Sequence, residues 1–116
     1  MPNATDFQAI VAVPTATIAN GATTSGAIDL GGCTLAGIQL PAAFTGTSLK
    51  FQAATTLGGT YQTLIDGLGN DVSKTVAQGK FLRLSPGEFA GVQFLKIVSG
   101  SAEGGARTLE LAVRPV

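Results

Sequence analysis

The segment Asp66-Gly-Leu-Gly-Asn-Asp71 is where this chain concentrates side chains able to do chemistry, with three oxygen-bearing groups around two glycines. A calcium loop is built from such material, but this run lacks the alternate-position carboxylates and the closing bidentate glutamate of an EF-hand. Aspartate, asparagine and glycine are also the residues that make turns, and an acidic hairpin turn is the reading these spacings favour. Elsewhere the means for chemistry are thin. The chain has no histidine, no tryptophan and one cysteine, so its many serines and threonines have no imidazole to activate them. Its seven carboxylates place no close pair on one predicted strand face outside that loop. A glycosidase pair would have to be assembled from distant residues. The expectation is a protein that is not an enzyme, with no catalytic residue, metal or cofactor, working by presenting surfaces to other molecules.

Composition narrows the class further. A length of 116 residues fits one domain with an adequate core of its own, and Cys33 has no partner for a disulfide. No cation lies near Cys33 in sequence to lower its pKa, so it reads as a small buried hydrophobe. Seven basic residues balance seven acidic ones, and the basic ones are scattered, which argues against nucleic acid as a partner. Zero net charge with 45% hydrophobic residues gives little electrostatic protection against self-association and suits life inside an assembly. The opening residues carry no lysine or arginine of a secretory leader, and the uncharged stretches are broken by proline, glycine and threonine, so no membrane span is expected. Synthesis in the cytoplasm is the corresponding expectation.

Helical periodicity is nearly absent, and short strand-like runs recur between glycine-rich breaks. Strands are predicted over residues 7–16, 25–30, 34–40, 48–54, 61–65, 72–76, 80–84, 92–98 and 108–113. Pro14 confines the first to an edge or breaks it, Asn20-Gly21 makes a turn after it, and one helical turn is expected over 87–91. The run 34–40 is apolar on both faces, as in a strand that is covered twice or kinked at Gly37. Residues 48–54 alternate cleanly, pair through Gly58-Gly59 with 61–65, and 92–98 is the most hydrophobic and hence central. The fold class is therefore all-β, an antiparallel β-sandwich of jelly-roll or Greek-key type with about eight strands. Residues 1–6 form an N-terminal arm, and residues 7–116 a single domain.

Several residues stand out as candidates for contact. Phe44 and Phe89 fall in predicted loops, where each either plugs the end of its own sandwich or anchors a neighbouring subunit. Tyr61 and Phe51 could offer sugar-stacking platforms, but their strand positions make core the simpler reading. Asp6 and Phe7 belong to the arm and its junction, which can be ordered by a neighbour in an assembly. Glu103 and Arg107 belong to the glycine-rich excursion over residues 99–106 and its far edge, expected to be flexible and available to a partner.

Three stretches carry a resemblance: Thr34-Leu-Ala-Gly-Ile-Gln-Leu-Pro-Ala-Ala-Phe-Thr-Gly-Thr-Ser-Leu-Lys-Phe-Gln52, Gly58-Gly-Thr-Tyr-Gln62, and Phe89-Ala-Gly-Val-Gln-Phe-Leu-Lys-Ile97. Together with Arg107-Thr-Leu-Glu-Leu-Ala-Val-Arg-Pro115 they resemble a family of small virion proteins of tailed bacteriophages. The resemblance implies a β-sandwich subunit of the particle: a capsid decoration or cement protein that clamps the major capsid protein, often as a homotrimer. It implies a place on the virion surface and brings no catalytic residue. Similar folds in such particles serve in head fibre, neck and tail, so a carbohydrate- or receptor-binding module is the alternative.

Overall fold

Among the described residues nine strands alternate between two layers, because the chain crosses from one sheet to the other at nearly every break in its apolar pattern. The computed structural model describes residues 13–115. The strands are β1 (Thr15–Ile18), β2 (Ile28–Asp29), β3 (Cys33–Gln39), β4 (Ser48–Ala54), β5 (Gln62–Thr63), β6 (Ser73–Thr75), β7 (Phe81–Arg83), β8 (Phe94–Ser99) and β9 (Arg107–Pro115). One sheet has the order β1-β9-β3-β7, and the other runs β2-β8-β4-β5 with β6 also pairing β4; every pairing is antiparallel. If β5 and β6 share one position along β4, the first strand pairs with the last, the second with the second-last, and so inward to β4 and its neighbours. That nested pairing is a jelly roll, an antiparallel ribbon rolled into a sandwich.

Alternation of side chains builds the core. Ala16, Ile18, Leu35, Ile38, Leu109 and Leu111 point inward from one sheet and meet Ile28, Leu49, Phe51, Leu95 and Ile97 from the other. In β3 the alternation slips at a bulge between Leu35 and Gly37, so Leu35 and Ile38, three residues apart, both point into the core. This accounts for a stretch that reads as apolar on both faces. Beyond the bulge, Gly37 leaves the outer surface bare, and the Phe81 ring lies on it: a Cβ at residue 37 would sit 2.7 Å from the ring.

Sequence expectations map onto this architecture with informative departures. The predicted strands 48–54, 34–40 and 92–98 correspond to β4, β3 and β8, and β8 is indeed internal to its sheet. Most of the predicted first strand lies outside the described residues; of its described part only Thr15 and Ala16 are extended, and the edge strand β1 starts after Pro14 and runs on to Ile18. The predicted 25–30 strand shortens to Ile28–Asp29 because the Ser25 hydroxyl accepts the Ile97 N–H at 2.9 Å, substituting a side chain for a ladder carbonyl. The predicted helical turn is a 3-10 turn over Pro86–Phe89. Cys33 is half-buried rather than fully buried, since it opposes Pro115 at the end of the β3–β9 ladder.

Candidate functional site

The most elaborate arrangement of polar groups surrounds Glu103, whose residue is 1% exposed. The segment from Gly100 to Ala106 leaves β8 and must return to β9, and three glycines in it let the backbone turn back over the end of the sandwich. Glu103 pins that excursion. Its backbone N–H donates to Ala22 O at 3.0 Å, and its carbonyl accepts from Gly21 N at 2.8 Å, across to the turn that follows β1. Its carboxylate accepts from Thr45 N (2.8 Å), Gly46 N (3.0 Å), Ser99 Oγ (3.0 Å) and Arg107 Nε (3.0 Å). One residue thus ties down the end of the sandwich: its backbone holds the turn after β1, and its carboxylate holds the β3–β4 connection and the adjoining ends of β8 and β9. Burial is the largest single influence on Glu103 and pushes its pKa up, but the bonds from Thr45, Ser99, Gly46 and Arg107 together outweigh it and hold the carboxyl below its ordinary value. The group is an ionised clasp with its lone pairs spent on the protein.

Those contacts require residue 46 to be glycine. A Cβ there would collide with Ser99 Oγ and come within 3.2 Å of the Phe44 ring and 3.5 Å of Glu103 Oε2. Gly46→Ala is expected to lower stability by about 2 kcal/mol, through overpacking and loss of the bond to the carboxylate. Urea titration would show it as a lower midpoint with an unchanged slope.

The residues singled out from sequence fall into three groups. Phe44 (2% exposed) and Phe89 (0%) both lie in the core of their own domain, the first of the two alternatives open to them, and Phe89 meets Phe51 edge to face with centroids 5.0 Å apart. Neither ring is presented for contact with a neighbour, because each fills space between the sheets that no other side chain fills. Glu103 and Arg107 are brought together, but as partners of each other, and the 99–106 excursion is tied down rather than free. Asp6 and Phe7 lie outside the described residues. Phe51 is wholly buried, and Tyr61 donates to Leu57 O at 2.7 Å while the Lys96 ammonium sits 4.6 Å from its ring centroid, so neither offers a free stacking platform.

Asp66 and Asp71 act separately. Asp66 Oδ1 accepts from Leu68 N (2.8 Å) and Asn70 N (3.0 Å), and Asp71 pairs with Lys50 at 3.0 Å. The bonds from Asn70 and Leu68, with a further one from Gly69, hold the Asp66 carboxyl below its ordinary value. Among the described residues no three potential metal ligands converge. This hairpin, closed by the Ile65–Asp71 bridge and by Asp66 N donating to Asn70 O at 2.8 Å, carries Leu68 at its tip, 87% exposed. Leu68 went unmarked in the sequence, although an apolar residue between two glycines in a polar turn is a signal. Phe81, 57% exposed, went unmarked too, although its parity with Leu82 and Leu84 inward puts it outside. No family model, no curated protein and no solved structure matches this chain.

Proposed function

We propose that this protein is a structural subunit of a tailed-phage particle, a decoration module that adheres to the major capsid protein lattice and stabilises it by contact alone. The resemblance in β3, β4, β8 and β9 supports that reading, and jelly rolls are common among viral shell domains. The observation that carries it is Leu68, an apolar side chain held almost wholly in solvent by a hairpin whose backbone is fixed on both sides by the Asp66 carboxylate. A side chain presented on a rigid support loses little entropy when it is buried by a partner, so its burial goes into affinity. Repetition over a shell then multiplies a modest contact, since each engaged subunit raises the effective concentration at linked sites.

The test is to mix the purified chain with undecorated capsids and to measure binding and the heat and chelator resistance of the shells. Wild type is expected to bind and raise resistance. Leu68→Asp is expected to weaken binding about tenfold or more, as for an interface anchor, with its own melting temperature unchanged because the side chain packs on nothing. Failure of wild type to bind, or binding that leaves the shells as labile as before, removes the proposal.

A further inference from the structure

The outer face of the β1-β9-β3-β7 sheet carries a knob and a hole side by side. Phe81, Gln39 and Glu110 form one cross-strand row with Thr15, and Arg83, Gly37 and Ala112 form the next. The knob is Phe81, its ring pinned on Gly37 with the opposite side open. Beside it is a shallow depression of about 200 Å³ lined by Val13, Gln39, Phe81, Glu110, Leu111 and Ala112. For scale, an apolar cavity of about 150 Å³ takes a benzene ring. Val13, at the rim, is 62% exposed.

Charge on this face is also divided. The three ion pairs among the described residues use Lys50, Lys74 and Arg107 with Asp71, Glu88 and Glu103, so Arg83 and Glu110 belong to none of them. Arg83 follows the knob by two residues on the same face, about 7 Å along the strand. Glu110 belongs to the hole.

We propose that this face pairs two copies of the chain about a twofold axis, the Phe81 ring of each seated in the depression of the other and Arg83 of each set against Glu110 of the other. An isologous contact requires one surface to hold both halves of every interaction, and this one does: knob with hole, cation with anion. A foreign partner would need only one half of each. The ring's fixed position over Gly37 lowers the ordering cost of docking, and aromatic and arginine side chains are the residues that dominate interface energies. The inference goes beyond the adhesion reading and stands without it, since it concerns a different surface.

Sedimentation equilibrium of the full chain from micromolar to millimolar concentration tests it. Wild type is expected to dimerise. Phe81→Ser, Arg83→Glu and Glu110→Arg are each expected to weaken the dimer about tenfold or more, the two charge variants with unchanged melting temperature and Phe81→Ser with a drop of a few degrees at most, since its ring packs on Gly37. The double variant Arg83→Glu with Glu110→Arg is expected to return to within about threefold of wild type, because the pair is restored with its signs exchanged. Capsid binding by the Phe81→Ser chain is measured alongside, so that loss of pairing and loss of adhesion are read separately. A wild type that stays monomeric, a trimer, or a dimer indifferent to Phe81→Ser overturns the proposal, as does a charge exchange that restores nothing.

Discussion

Glu103→Ala is expected to lower stability by about 3 kcal/mol, the scale on which removing one partner of a buried ion pair leaves the other uncompensated. At about 4 °C per kcal/mol for a domain of this size, the melting temperature should fall by about 12 °C. Four donors lose their acceptor at once: the amides of Thr45 and Gly46, the Ser99 hydroxyl and the Arg107 guanidinium. Glu103→Gln separates charge from shape, since it keeps one acceptor oxygen and puts an amide N–H₂ among groups that are all donors. The pH dependence follows from the lowered carboxyl. The unfolded chain takes up its proton first as pH falls, so the stability due to Glu103 is complete above the unfolded value, near pH 4.3, and drains as pH drops through the depressed folded value. Wild type should therefore show an acid limb that Glu103→Gln flattens. A limb of equal depth in both chains would mean that other carboxylates govern acid unfolding.

Phe89→Ala should be costlier still, at about 4 kcal/mol, because truncating a buried phenylalanine removes its transfer energy and leaves a cavity. Phe89 is fully enclosed and stands edge-on to Phe51, so the variant also forfeits the aromatic pair. The comparison that matters is with Phe81→Ser, which removes an equally large ring from the outside. Denaturation should register the first and barely the second, and sedimentation should do the reverse. If Phe89→Ala left the denaturation midpoint in place while disrupting assembly, the ring would be an anchor for a neighbour after all.

Most of the architecture could be read from the amino acids, because strand alternation and glycine-rich breaks are local signals. The pattern of Leu49, Phe51 and Ala53 against Lys50 and Gln52 carries β4 by itself. What could not be read was which connections are loose. The 99–106 excursion has the composition of a flexible loop, and nothing near Glu103 in sequence announces that its carboxylate reaches Thr45 and Gly46, more than fifty positions away. Phe44 and Phe89 pose the same problem: an aromatic residue in a connection closes a core or grips a partner, and only the long-range packing decides. Surface residues of consequence are harder again. Phe81 is made conspicuous by the absence of a side chain at Gly37 on the neighbouring strand, a relation that requires the register of β3 and β7.

The nested ladder order also sets an expected sequence of events during folding. Closing β4 onto β5 and β6 bridges short stretches of chain, whereas pairing Ile18 with Arg107 closes a loop of about three quarters of the polypeptide, and loop-closure entropy makes that step the dearest unless the inner ladders form first. The ribbon is therefore expected to zip from the hairpin outward, which φ-values high in β4–β6 and low in β1 and β9 would show. β9 joins late, and with it Glu103, Glu110 and Ala112 reach their places, so a nascent copy has no finished surface with which to engage its sister until the rest of the domain is secure.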